Sequence, residues 1–149
     1  MRFPATFPHG FTAYERVDDD RNATVQQRYA NAAAWQAARA GLALPAGSIL
    51  LVVTHAAATD AATGQPQRDA GGRLVPGAVR GYAGMESQPA WGQSIPASLR
   101  NGDWHYALFD AERRLRESVD QAECLACHRP RAADGYVFTL QALRAAAQR

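Results

Sequence analysis

Residues 122–130 read AECLACHRP and contain the chain's only two cysteines, Cys124 and Cys127, with His128 directly after the second. No other feature restricts the fold as strongly, because the rest of the chain must be built around whatever these side chains hold. Three chemistries use such a run. Two thiols can add across the vinyl groups of a haem while the adjacent imidazole ligates the iron. One helical turn brings both sulfurs to one edge of the macrocycle and turns the next residue towards the metal. Alternatively, the cysteines form half of a closed zinc site that needs two further ligands. The third chemistry is a thioredoxin-like dithiol at the end of the first strand of a βαβ unit. Zinc would have to draw on His9, His55, His105 and His128, without a second Cys pair or a His-x₃₋₅-His run. No βαβ pattern surrounds the motif. One haem c, attached through Cys124 and Cys127 with His128 on the iron, is the favoured reading.

The opposite axial position is harder to fill. A small electron carrier usually holds iron between His and Met, but no Met follows His128, and Met1 and Met85 are the only two in the chain. A bis-His site would need His9, His55 or His105. An open sixth position therefore fits best, and it points to small-molecule binding or chemistry at iron rather than simple electron carriage.

Composition removes several other roles. The formal charge is only +2 and the basic residues are scattered, which argues against nucleic acid as a partner. No apolar run reaches the roughly 18 residues that a membrane span requires. The start, MRFPATFPHGF, has no apolar h-region, so an exported protein would be represented here by its trimmed form. The length of 149 residues suits a single domain over 1–149. All 16 cationic side chains are Arg and none is Lys, a point with chemical weight below.

A four-helix bundle could carry a C-terminal haem, yet ten Gly and five Pro lie between Gly41 and Asp103, too many breakers for long helices. Instead GSILLVVTHAA, GAVRGYAGMES and DWHYALFD read as strands, with TVQQRYAN as a short first one. NAAAWQAARAG reads as a helix with Asn31 as N-cap and Gly41 near its end. SVDQAECLACH is a second helix carrying the haem, and LQALRAAAQR a third. A polar Gly/Pro connection, residues 59–77, reads as a mobile hairpin loop. The fold class is α+β: a curved antiparallel sheet with a few helices and the haem against one face.

In this order the pieces resemble the cytochrome P460 family, which includes the β-sheet cytochromes c′. The matching blocks are RYANAAAWQAARAGLALPAGSILLV, GMESQPAWG, LRNGDWHYALFD and CLACHRPRAADGYVFT; the last, a haem motif followed shortly by YVFT, is the most specific. The resemblance implies a sheet-rich homodimer, a five-coordinate His-ligated iron and an exported, periplasmic setting. Enzymes of the family oxidise hydroxylamine and nitric oxide, and non-enzymatic relatives bind nitric oxide and similar diatomics. The oxidising members bond a Lys nitrogen to the porphyrin edge; the matching position here is Val52, and a chain without Lys cannot form that bond. A distal carboxylate of the family falls on Glu86. In a low-dielectric pocket such a group would have a raised pKa and serve as a proton relay.

If Val52 faces the haem, strand alternation sends Leu50 and Thr54 the same way and Ile49, Leu51, Val53 and His55 the other. On the next strand Arg80, Tyr82 and Glu86 are assigned to the haem side and Met85 to the far side. Arg28 and Arg80 are the candidates for the haem propionates, since a guanidinium suits a carboxylate. Trp35 and His105 read as packing residues. The leading function is a mono-haem c-type cytochrome that binds nitric oxide or a related small ligand, served by a redox partner protein. The alternative is a hydroxylamine or nitric oxide oxidase, or a peroxidase acting on peroxide, with Glu86 as proton acceptor.

Overall fold

The computed structural model describes all of residues 1–149. Five strands form one antiparallel sheet in sequence order: β1 (Phe11–Asp19), β2 (Thr24–Asn31), β3 (Ile49–Ala57), β4 (Pro76–Ser87) and β5 (Trp104–Phe109). Three helices accompany it: α1 (Ala32–Arg39), α2 (Gln121–His128) and α3 (Leu140–Ala147). The α+β class read from the sequence is the class observed.

Asn31 shows how local chemistry sets an element boundary. Its Oδ1 accepts from Ala34 N and from Ile49 N, each at 3.1 Å, while its Nδ2 donates to the Gly47 carbonyl at 2.8 Å. One side chain thus caps α1 and ties it to the start of β3. At the other end Gly41 takes a φ of +72°, the left-handed turn that glycine makes at least cost after a helix.

Register decides what each sheet face carries. Leu50 pairs with Met85 and Met85 with Tyr106; Val52 pairs with Ala83 and Ala83 with Leu108. These residues share one face. Buried against it are Ala34 and Ala38 of α1, Leu125 of α2 and Leu140 and Leu143 of α3. The opposite face carries Leu51, Val53, Tyr82, Ala107 and Phe109, closed over by Phe7 with Met1, Phe3 and Phe11. Phe3 meets Tyr82 and Phe109 edge-on at 4.9 and 5.2 Å, the arrangement aromatic quadrupoles favour.

The connection between β3 and β4 is folded onto the sheet. It closes on the isolated bridges Thr59–Pro66 and Arg68–Leu74. Asp18 accepts from Leu74 N at 2.9 Å, Arg16 donates to the Leu74 carbonyl, and the Leu74 side chain is buried. The hairpin expected there is docked on β1, with Leu74 as an apolar anchor within an otherwise polar stretch.

Candidate functional site

A cavity of about 500 Å³ opens between the first sheet face and the C-terminal segment, within the range of small-molecule and cofactor sites. Leu50, Val52, Ala83, Met85, Tyr106 and Leu108 supply the sheet wall. Cys124, Cys127 and His128 of α2 and Val137, Phe138 and Thr139 beyond it supply the other. Tyr14 and Arg28 close one end.

Helix α2 begins at Asp120, whose carboxylate accepts from Ala122 N at 2.8 Å, and it is anchored by the buried Leu125. Both cysteines and His128 therefore reach the cavity from about one turn and a half of helix. The thiols are free, Cys124 half-buried and Cys127 exposed, and burial pushes the Cys124 thiol above its ordinary pKa.

His128 is held on three sides. Its Nδ1 lies 2.7 Å from the Tyr136 carbonyl, an acceptor only, so Nδ1 carries the proton and the Nε2 lone pair is available to a metal. Tyr136 delivers that carbonyl from a left-handed backbone, φ +65°, directly after Gly135 at +61°. The ring packs against Tyr106 with centroids 4.5 Å apart and edge-on to Phe138 at 4.9 Å. The Arg131 guanidinium sits 5.0 Å over Phe138.

The phenols of the cavity are neutral groups. Burial pushes Tyr106 up to about 12, against a smaller opposing effect from its hydrogen bond with Asn101. Tyr14 is raised by burial as well, and its hydroxyl shares a 2.7 Å hydrogen bond with Thr139. Arg28 pairs with Glu15 at 2.5 Å, its neighbour across β1 and β2, so its charge is partly compensated before any ligand arrives.

Several sequence assignments are corrected. Glu86 is not on the cavity wall: it pairs with Ile49 and His105 on the opposite face, and its Oε1 accepts from Gln88 Nε2 at 2.9 Å. Tyr82 is buried on that same far side, paired with Val53. Met85, assigned to the far face, lines the cavity instead. All three follow from one cause: Met85 is opposite Leu50, so the cavity side of β4 is one residue out of step with the assignment. Arg80 is exposed and does not reach the cavity, and Thr54 is also outside it. Pairing shifts right after Thr54, from Thr54–Gly81 to His55–Val79, so that Arg80 is the extra residue of a bulge and falls out of the alternation.

Leu50, Val52, Arg28, Cys124, Cys127 and His128 are brought together around the same cavity. His55 bonds the Gly77 carbonyl at 3.0 Å and His105 the Trp91 carbonyl at 3.2 Å; neither lines the cavity. Trp35 packs against the main core. Alternation in DWHYALFD leaves Trp104, Tyr106 and Leu108 or His105, Ala107 and Phe109 to meet the haem, and pairing with Met85 selects Tyr106. Tyr14, Phe138 and Asn101 carry no assigned role in the sequence, though Phe138 lies in YVFT and Asn101 in LRNGDWHYALFD.

The residues fit a haem. Of the 17 lining residues 12 are hydrophobic, as an apolar macrocycle requires, and two thiols and a correctly tautomerised imidazole converge on the same space. No group of three or more His, Cys, Asp or Glu side chains is arranged to hold a metal ion, which leaves the zinc alternative without a ligand set. Residues 4–139 match the family model described as Cytochrome P460. No curated protein matches the sequence.

Proposed function

The chain belongs to the cytochrome P460 family, a family of c-type haem cytochromes, and from that premise we propose that it carries one haem on Cys124 and Cys127 and binds nitric oxide or a similar uncharged small molecule. The haem supplies an iron able to take such a molecule as a ligand. His128 serves as the protein's metal ligand through Nε2, with Tyr136 fixing its tautomer. Leu50, Val52, Ala83 and Leu108 give the ligand an apolar wall that disfavours charged or strongly hydrated guests. Arg28, with a carboxylate partner already, is suited to a haem propionate at the cavity's end.

The observation that supports this reading best is the side of the sheet on which Glu86 lies. The proton acceptor that the resemblance assigns has to reach the cavity, and Glu86 faces the other core; the carboxylate that does line the cavity, Glu123, stands beside Cys124 on the attachment helix and not on the sheet wall. The chain also has no Lys to bond a porphyrin edge. Binding is therefore favoured over oxidation or peroxidation. The reading includes export to the periplasm, a homodimer and a redox partner protein, in keeping with the family; no helix is long and apolar enough to cross a membrane.

The test is the spectrum of the purified, reduced holoprotein, followed by nitric oxide titration. Ordinary c-type bands and tight one-to-one binding are expected. Material without covalent haem, or repeated turnover of hydroxylamine with an electron acceptor, overturns the proposal.

A further inference from the structure

Asn101 lies outside the cavity, in the turn before β5, yet its side chain is completely buried. Its Nδ2 donates to the Leu125 carbonyl at 2.9 Å and to the Tyr106 hydroxyl at 3.2 Å. A carbonyl can only accept, so the amide orientation is fixed by Leu125. The Oδ1 on the other side is buried without a protein partner, an unfavourable arrangement for such an acceptor. A leucine fills similar space without that cost. The position therefore makes physical sense through its two donor hydrogens.

Both bonds lead to the haem motif. Leu125 stands between Cys124 and Cys127, and its carbonyl also accepts from Arg129 N at the end of α2. Tyr106 is the ring packed 4.5 Å from His128. Its backbone N donates to Gln121 Oε1 at 2.8 Å. Gln121 and Leu125 are one turn apart on one side of α2, so β5 and the turn before it grip this helix at two successive turns. Asn101 is the junction at which the attachment helix and the ring beside His128 are locked to each other.

We infer that Asn101 is a positioning residue for the haem centre, acting through Tyr106 and Leu125 to fix the orientation of His128 relative to the two cysteines. The inference rests on the haem reading above. Without the amide, Tyr106 loses the hydrogen bond that holds its phenol and α2 keeps only its own backbone bond at Leu125. The imidazole plane then samples a wider range, and the iron–imidazole bond with it.

The experiment compares mature holoprotein with Asn101→Leu, Tyr106→Phe and Ile95→Val, the last a buried control that does not line the cavity. The iron–imidazole stretching band of the reduced protein is read by resonance Raman, the midpoint potential by redox titration, and covalent haem by mass. Asn101→Leu is expected to shift and broaden the band and move the potential. Tyr106→Phe should do the same to a lesser degree, and Ile95→Val should leave both at their wild-type positions. Wild-type band position, width and potential in Asn101→Leu with haem attached would overturn the inference. Should Asn101→Leu not mature, Tyr106→Phe decides by the same criteria. Wild-type protein without covalent haem removes the haem reading and this inference together, a result told apart by mass alone.

Discussion

His128 donates its Nδ1 proton to the Tyr136 carbonyl across 2.7 Å, and Tyr136 holds that carbonyl from the left-handed region at φ +65°. A non-glycine residue there stores of the order of 1–3 kcal/mol. Tyr136→Val adds β-branching to the strain, and we expect a lower thermal midpoint together with a shifted reduction potential. Tyr136→Asn, which tolerates this backbone, should retain the potential even where it loses some packing. Calorimetry and redox titration of both variants check the pair.

The cysteines differ in exposure but serve one cofactor in the proposed reading. Cys124→Ser or Cys127→Ser should each leave haem held by a single thioether, with reduced bands displaced from those of the parent. The double variant should release its haem to acidified organic solvent and show the mass of the bare polypeptide. Denaturing mass spectrometry and the reduced spectrum make the comparison. Unaltered bands in either single variant would contradict attachment at that sulfur.

Placing Glu86 behind the sheet has a direct consequence. Glu86→Gln should leave nitric oxide affinity and dissociation rate within about twofold of the parent, a change of some 0.4 kcal/mol. Val52→Glu, by contrast, puts a carboxyl on the apolar wall, where an unpaired polar group costs several-fold in affinity or more. Stopped-flow binding distinguishes the two, and a large effect from Glu86→Gln with little from Val52→Glu would reverse the assignment of faces.

Asp18 makes a prediction about acid. Its hydrogen bonds from Arg16, and then from Leu74 N, hold its pKa below the ordinary 3.8. A carboxyl depressed by folding stabilises the native state above its unfolded pKa, and the contribution is lost as pH falls through the lower folded value. Asp18→Asn should thus lower the thermal midpoint at neutral pH, with the gap to the parent closing below about pH 3.8. Melting curves across pH measure this; a constant gap would show that the charge is not the source.

Most of the sheet was legible in the sequence because β3, β4 and β5 are apolar runs bounded by Gly, Pro and Asp, and because Asn31 caps α1 by chemistry that sequence reveals. The first strand, β1, was missed. Its charged residues resemble a surface segment, and the register shift between Ala13 and Glu15 breaks the alternation that would have marked Tyr14 as inward. The cofactor motif was plain, but the two sides of β4 were exchanged. Alternation says that Met85 and Glu86 point apart; only pairing with Leu50 and Tyr106 says which of them meets the cavity. Asn101 lay within a matching block, but its burial was not legible, since an Asn-Gly-Asp turn looks solvent-exposed until the chain closes over it.

The aromatic layer of Phe3 and Phe7 behind the sheet has a bearing on how the protein is assembled. With an apolar core of its own on that side, the sheet has cohesion that does not depend on anything bound in the cavity. If haem is attached at Cys124 and Cys127 as proposed, this second core would hold the sheet together before the cofactor arrives, and the attachment helix would be offered from a folded frame.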